Sequence, residues 1–444
     1  KKKKREARSF RESTDQRESI FRLWLRSVIV PEIVKNGQLL EDHSKDEACS
    51  FKLHSIEIKF IGIEEAFMLT SCYKAKLDFE CRANQRKSLT LVIKKTPDIP
   101  EKTFDAVNFA ALFSNEIKAY TVIMPIINNF SKRKLNLPRY FYGDLQRNSA
   151  TIILEDFNLG GWRMTIERFN LDLEHALLAV KYLANFHGVC YALKNHDRRL
   201  FDNLIADLKE SRYASRPLHP VWVKILNTSV ERVMAVTRRL QPDVPAEFLE
   251  RLHQLISDNY RYGKQRVQPV EPMATLCHGD YLRNNIAYRY DTKNSLRPVD
   301  VMMFDLQTIR YSSPMMDLTV FLSLSVLKEV RSQHFDEIFG VYCEQLTATY
   351  EKHVDQKSEN LLREYIRFLP YSIGVAASFL MTLVDPGQVS SEELLCNKRE
   401  PAEIEEEIMH RGGDIVDHEL AHQTKELYVL STKHGVDFYE GIVL

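Results

Sequence analysis

The stretch Cys277-His-Gly-Asp280-Tyr-Leu-Arg-Asn-Asn285 decides how this sequence is interpreted, because it places a carboxylate and an amide close together in one polar loop. A second acidic residue, Asp305, follows the apolar run Val301 to Phe304, which predicts a strand. Upstream, Lys94 ends another short apolar run. Asp and Asn oxygens are ligands that Mg²⁺ accepts, and a lysine ammonium binds phosphate oxygens. The three stretches together predict a site for Mg²⁺ and a phosphorylated ligand.

The composition is that of an ordinary globular protein. The chain has 444 residues, of which 44% are hydrophobic and 27% are charged, so it can bury a large core and form about two or three domains. Its 61 basic and 61 acidic side chains cancel, so the net charge gives no support for nucleic acid as a partner. The 7 cysteines include no Cys-x-x-Cys pair, which argues against a disulfide framework or a zinc ribbon and favours a reducing, cytoplasmic location.

Two stretches bear on targeting and membranes. The basic run Lys1 to Arg5 predicts a solvated tail. The uncharged run Phe368 to Val384 contains Pro370 and Gly374, whereas a spanning helix needs about 20 uninterrupted apolar residues. We therefore expect a buried core helix there and no membrane span.

Hydrophobic periodicity predicts an α+β order of elements. The expected elements are a helix over Ser19 to Val30 that stops at Pro31, strands over Leu69 to Phe79 and Leu89 to Ile93, a helix over Phe104 to Ile127, and a strand over Ala150 to Leu154. From Leu171 onward helical periodicity dominates, interrupted by strands over Asn285 to Tyr290 and Val299 to Phe304. We expect an N-terminal tail and helix (residues 1–45), a small sheet lobe with one main helix that binds nucleotide (46–157), and a larger, mostly helical lobe with the catalytic loop, metal site and acceptor pocket (158–444).

The residue types predict kinase chemistry. Asp280 would accept a proton from an acceptor hydroxyl, while Asn285 and Asp305 would bind Mg²⁺. Lys94, paired with Glu116 on the following helix, would hold the phosphates of ATP. Lys95 competes for that role, because adjacent strand residues point to opposite faces and only one can face the ligand. His278 is expected to be a buried loop histidine that bonds the backbone.

Together these motifs resemble the ecdysteroid-kinase-like (CHK-kinase-like) family, a relative of the choline kinases and aminoglycoside phosphotransferases with a protein-kinase-like fold. The resemblance runs from about Phe60 to Val384. The matching motifs are Lys94-Lys-Thr-Pro97, Phe113-Ser-Asn-Glu116 with Tyr120, Leu154-Glu-Asp156, Leu183-Ala-Asn-Phe-His187, Cys277 to Asn285, Phe304-Asp-Leu-Gln307, and Arg310-Tyr-Ser-Ser-Pro314 with Asp317.

The resemblance implies a role for each matched position. It selects Lys94 over Lys95, because Lys94 and Pro97 match the family's Lys-x-x-Pro. Asp317 would be a structural anchor for the catalytic loop. The segment Leu154-Glu155-Asp156-Phe157 would be the hinge whose backbone meets adenine. The resemblance implies the same roles for Glu116, Asp280, Asn285 and Asp305 as the residue types do. It implies ATP and Mg²⁺ as cofactors and an ecdysteroid or similar lipophilic alcohol as acceptor, with choline or a xenobiotic alcohol as alternatives, and it leaves the oligomeric state open.

One departure and two rival interpretations remain. Where the family's phosphate-covering loop has Gly-Glu-Asn, this chain has Glu64-Glu-Ala-Phe67-Met-Leu-Thr70, and losing the glycine removes freedom for backbone amides to approach phosphate. A kinase-like protein that binds nucleotide or ligand without turnover is therefore one rival. The other is a zinc site at His418-Glu-Leu-Ala-His422 with Glu440 as a third ligand, against which a solvated terminal helix is preferred.

Overall fold

The computed structural model describes residues 19–36, 51–61, 69–81, 85–147, 149–214, 220–350, 358–386 and 400–443. By its contacts the chain divides into two compact units. The first comprises Lys1–Pro97 and Pro138–Gly160, and the second comprises Asp98–Leu137 and Gly161–Leu444. The helices of 98–137 thus cluster with the second unit, whereas the sequence analysis assigned them to the small lobe.

The first unit is a five-stranded antiparallel sheet with one helix packed on it. The helix α1 covers residues 19–35, and the strands are β1 Lys52–Ile61, β2 Ser71–Cys81, β3 Gln85–Lys95, β4 Tyr140–Asp144 and β5 Thr151–Glu155. The sheet order is β1-β2-β3-β5-β4. Alternate residues of the central strands, such as Ala75, Leu77 and Ile93, bury one face of the sheet against Leu25 and Ile29 of α1. The period-two pattern predicted for β2 is confirmed.

Pro31 does not end the first helix, which corrects the sequence prediction. A π-helical turn, Leu25–Ile29, precedes the proline, and the amide of Val30 reaches back to the carbonyl of Leu25. Proline in an α-helix clashes with the carbonyl of the preceding turn. The wider π turn gives the ring room, so the helix continues to Lys35.

The second unit is mainly helical. Its helices and strands are α2 Glu101–Val107, α3 Phe109–Lys118, α4 Met124–Phe130, β6 Trp162–Arg163, α5 Leu173–His196, α6 Arg198–Ile205, α7 Pro220–Leu240, α8 Ala246–Ile256, α9 Asn259–Arg266, β7 Thr275–Cys277, β8 Ile286–Tyr290, β9 Pro298–Met303, β10 Arg310–Ser312, α10 Met315–Ser325, α11 Lys328–Thr349, α12 Ser358–Val384, α13 Pro401–His410 and α14 Gly413–His434. Strands β6, β8 and β9 form one small sheet and β7 pairs with β10 in another. The predicted α+β fold class is confirmed.

Two helices of the second unit, α5 and α12, are long and apolar enough to cross a membrane by length and composition. The protein itself buries 72% of the most apolar window of α5 and 78% of that of α12. Burial to this extent is what a core helix shows. The prediction of a buried core helix over Phe368 to Val384 is confirmed.

Candidate active site

The loop that follows β7 is anchored by Asp317 of α10, which is 1% exposed. One oxygen of its carboxylate accepts the amide N–H of His278 at 2.7 Å, and the other accepts that of Gly279 at 2.8 Å. The Nε2 atom of His187 lies 3.1 Å from the carboxylate. Because one buried side chain satisfies two successive backbone donors, it fixes the direction in which the chain enters the loop. This is the anchoring role that the family resemblance implied for Asp317.

Glycine is required at position 279. Its φ is +87°, in the region that L-residues rarely adopt. A Cβ atom there would lie 2.0 Å from the carbonyl oxygen of Thr308. The Thr308 hydroxyl in turn donates to the carbonyl of His278 at 3.3 Å. The loop therefore turns tightly against the segment that follows Asp305.

His278 is fully buried, and both of its ring nitrogens face the backbone. Nε2 lies 2.9 Å from the carbonyl of Phe304, to which it donates, and Nδ1 accepts the amide N–H of Asp280 at 3.3 Å. The prediction of a buried histidine that bonds the backbone is confirmed. The ring thereby joins the loop to the end of β9.

The side chains of Asp280 and Asn285 meet. The Nδ2 atom of Asn285 donates to Oδ2 of Asp280 at 3.1 Å and to its backbone carbonyl at 2.8 Å. With its Nδ2 engaged in this way, Asn285 keeps its amide oxygen as its remaining polar group. The Asp280 side chain is 21% exposed, so a ligand can reach it.

Asp305 is brought close to Asn285 by the backbone. The amide of Phe304 donates to the carbonyl of Asn285 at 2.9 Å. Asp305 itself has φ +62° and ψ +59°, a left-handed conformation that costs a non-glycine residue about 1–3 kcal/mol and is concentrated at functional sites. Two hard oxygen donors, the Asn285 amide and the Asp305 carboxylate, are a chemically suitable set for Mg²⁺.

The helix α3 brings Glu116 into the same unit. Glu116 is 1% exposed. Burial raises the pKa of Tyr120 well above its ordinary value, and the carboxylates of Glu116 and Asp305 raise it further. Both carboxylates therefore act on the same phenol, which places Glu116 in the electrostatic environment of Asp305.

The two adjacent lysines of β3 have different surroundings in the first unit. Lys95 donates to the hydroxyl of Thr151 at 2.9 Å and lies 4.6 Å from the ring centre of Trp24. Burial lowers its pKa. Lys94 is 8% exposed and points to the opposite face of the strand, between Cys72 and Ile152 on the neighbouring strands. Lys95 thus has a structural role, which leaves Lys94 as the candidate for binding phosphate.

The predicted hinge begins at the end of β5. The amide of Glu155 donates to the carbonyl of Arg139 at 2.9 Å, and that of Asp156 donates to the carbonyl of Thr90 at 3.0 Å. The Asp156 carboxylate forms an ion pair with Lys74 at 3.1 Å. Leu154 is buried in β5, and Phe157 begins a short 3₁₀ turn that ends at Gly160. The amides of Glu155 and Asp156 are therefore both engaged within the first unit.

The altered phosphate loop and the motif His418-Glu-Leu-Ala-His422 lie apart in the sequence from the site segments described above. The altered phosphate loop falls almost wholly on residues 62–68, outside the described residues. In the proposed zinc motif, His418 is exposed while Glu419 is buried in an ion pair with Arg331 at 2.6 Å. The helix that carries the motif also buries Leu420 and Ala421, so it is not the solvated terminal helix that the sequence analysis preferred.

The sequence analysis missed Arg212, whose guanidinium Nη2 lies 3.4 Å from Oδ1 of Asp280. It lies in a segment after α6 that has no motif of its own. Asn115 of α3 holds that segment, donating to the carbonyl of Lys209 at 2.7 Å and accepting its amide at 2.9 Å. Asn115 was quoted within the motif Phe113 to Glu116 but was given no role.

The solved structures that resemble this chain include three small-molecule kinases. An ethanolamine kinase of Plasmodium vivax is 13% identical, with 87% of this chain and 85% of that chain covered and a TM-score of 0.36. The choline kinase LicA of Streptococcus pneumoniae is 11% identical, with 84% and 94% covered and a TM-score of 0.38. A microcompartment-associated aminopropanol kinase is 10% identical, with 86% and 95% covered and a TM-score of 0.43. These values are too low for the substrates of those proteins to be transferred to this chain.

None of the curated proteins compared with the sequence matches it. The description of the ecdysteroid kinase-like family, in contrast, matches residues 64–354, which is more than half of the chain and includes Lys94, Glu116, Asp280, Asn285, Asp305 and Asp317. The chain therefore belongs to the ecdysteroid kinase-like family.

Proposed function

We propose that this protein is a cytoplasmic, ATP-dependent kinase that phosphorylates a hydroxyl group of a small molecule, with an ecdysteroid or a similar lipophilic alcohol as the acceptor. Membership of the ecdysteroid kinase-like family supports a kinase of small molecules. The observation that carries the proposal is the hydrogen bond between Asp280 and Asn285 in a loop whose backbone amides are bound by Asp317. A carboxylate fixed in this way is suited to act as a general base.

The chain's own residues have distinct roles in the proposed reaction. Asp280 takes the proton from the acceptor hydroxyl as the new phosphorus–oxygen bond forms and the bond between the γ-phosphorus and ADP breaks. Lys94 is proposed to bind the ATP phosphates and Leu154 to Phe157 the adenine. Asn285 and Asp305 would hold Mg²⁺, which when bound neutralises charge on the phosphates. Glu116 is proposed to orient Lys94.

The decisive variant is Asp280→Asn, assayed by single-turnover transfer from γ-labelled ATP to a metabolite extract. We expect the rate to fall at least about a hundredfold, because general-base help contributes about 10²–10⁴-fold. ATP affinity, measured by equilibrium titration, should be retained. A matched control is Asp300→Asn, since the Asp300 carboxylate is also partly exposed and also pairs with one arginine, Arg133, at 3.1 Å.

The alternative is a protein that binds nucleotide without turnover, which the altered loop from Glu64 to Thr70 favours. That protein would bind ATP and transfer no label to any acceptor. An unchanged rate in the Asp280→Asn variant would instead remove Asp280 as the base while leaving a kinase. The two failures are therefore distinguishable.

A further inference from the structure

Both oxygens of the Asp280 carboxylate have a partner, and the partners come from different parts of the second unit. Asn285 contacts Oδ2 at 3.1 Å, and the guanidinium Nη2 of Arg212 lies 3.4 Å from Oδ1. The Nη1 atom of Arg212 also lies 3.5 Å from the hydroxyl of Tyr371 on α12. An acceptor hydroxyl that reaches Asp280 therefore comes close to a guanidinium.

The backbone that carries Arg212 is fixed. One oxygen of the Glu210 carboxylate accepts the amides of Arg212 and Tyr213, both at 2.8 Å. The other oxygen forms an ion pair with Arg310 at 3.2 Å, and Asn108 donates to the carbonyl of Glu210 at 3.1 Å. Because the segment is tied to Arg310 and to Asn108, Arg212 extends from a fixed backbone and not from a freely moving loop.

The guanidinium also keeps its charge. Burial alone would lower the pKa of Arg212, but Tyr371 and Asp280 outweigh burial and raise the pKa above its ordinary value. Two carboxylates that could attract a cation here are themselves paired with arginines, Asp280 with Arg212 and Glu210 with Arg310. A positively charged acceptor would meet a fixed cation, and its attraction to Asp280 would already be offset.

We infer that Arg212 is a specificity-determining residue that disfavours acceptors carrying a positive charge next to the reacting hydroxyl and favours neutral or anionic alcohols. The inference rests on the proposed function, because it concerns the acceptor of that reaction. Like charges within a few ångströms at a partly buried site repel strongly enough to change relative rates by about tenfold or more. The repulsion acts on choline in particular, because a single ethylene group separates its ammonium from its hydroxyl.

The test supplies γ-labelled ATP and a metabolite extract supplemented with equal concentrations of choline and its uncharged isostere 3,3-dimethylbutan-1-ol. Labelled products are separated by chromatography and assigned by mass to acceptors that carry a positive group and acceptors that carry none. Four proteins are compared: wild type, Arg212→Gln, Arg212→Lys, and the control Arg198→Gln, which removes an arginine that pairs with Asp202 and Glu271. The ratio of labelled cationic acceptors to labelled uncharged acceptors is measured within each sample, so a difference in the amount of folded protein does not change it.

We expect wild type and Arg198→Gln to label mainly uncharged acceptors. Arg212→Gln should raise the ratio of labelled cationic to labelled uncharged acceptors about tenfold or more, and Arg212→Lys should keep the wild-type ratio because it keeps the charge. A wild-type protein that labels cationic acceptors as readily as neutral ones overturns the inference, as does a ratio unchanged in Arg212→Gln, and either result leaves the proposed kinase activity intact. Absence of any labelled product from wild type defeats the proposed function and the inference together.

Discussion

Replacement of Asp317 by alanine should destabilise the protein more than the same replacement of an exposed aspartate or glutamate. The carboxylate is 1% exposed and accepts from the amides of His278 and Gly279 and from the ring of His187. Alanine leaves those three donors buried without their acceptor. Each such donor costs about 1–3 kcal/mol.

These costs are not additive, and breaking a buried charged pair by removing one partner typically costs about 3–5 kcal/mol. We therefore expect Asp317→Ala to lower the free energy of unfolding by about 4 kcal/mol. That is a large part of the total of about 5–15 kcal/mol of an ordinary protein. Asp317→Asn keeps one acceptor oxygen but turns an amide NH₂ toward a backbone donor, so its loss should be smaller, about 2–3 kcal/mol.

The loss should be measured by urea denaturation at neutral pH, with Asp202→Ala as the control. Asp202 pairs with Arg198 on the surface, with both side chains about half exposed, and such pairs contribute about 0.2–1 kcal/mol. A loss for Asp317→Ala no larger than that for Asp202→Ala would refute the anchoring role of the carboxylate.

The same carboxylate predicts a dependence on pH. Burial would raise the pKa of Asp317, but His187 and the amide of Gly279 outweigh it, so the pKa is lowered from 3.8. A group whose pKa is lower in the folded state stabilises the protein fully above its unfolded pKa and loses that contribution as the pH falls through its folded pKa. Wild-type stability should therefore fall as the solution is acidified below about pH 4, and Asp317→Ala should lack this part of the loss.

Two further predictions concern neighbouring positions. Lys95→Met should lower the free energy of unfolding by about 1–2 kcal/mol in urea denaturation, because it removes a hydrogen bond to Thr151 and a cation–π contact, and it should leave single-turnover transfer nearly unchanged. Lys94→Met should instead cut kcat/KM for ATP by about a hundredfold. Equal kinetic losses in both variants would contradict the division of roles between the two lysines. Gly279→Ala should lower the free energy of unfolding by about 3 kcal/mol, because the φ of +87° is strained for alanine and its Cβ would overlap with the Thr308 carbonyl. A variant as stable as wild type in urea denaturation would contradict the tight turn.

The sequence was sufficient to predict an element or a contact where a local residue pattern determines it. Alternation over Leu69 to Phe79 predicted β2, because one face of that strand packs on a core and the other does not. The apolar run before Asp305 predicted β9, and the loop motif predicted that Asp280 and Asn285 would meet. In each case the interaction lies between residues that are close in sequence or follow one periodicity.

The sequence was not sufficient to predict a feature that joins distant segments or depends on a backbone irregularity. Arg212 meets Asp280 only because Asn115 and Glu210 fix a segment that lacks periodicity. The continuation of the first helix past Pro31 depends on a π turn that no residue pattern signals. Tertiary contacts and helix irregularities of this kind are decided by packing, which a single sequence does not display.

The choice between Lys94 and Lys95 shows how the two kinds of information combine. Alternation along a strand requires that adjacent side chains face opposite ways, but it does not say which face a ligand uses. The family motif selects Lys94, and the structure gives an independent reason, because Lys95 is bound to Thr151 and stacked on Trp24. A lysine with a structural role on one face cannot also serve on the other. The motif and the packing therefore select the same lysine for different physical reasons.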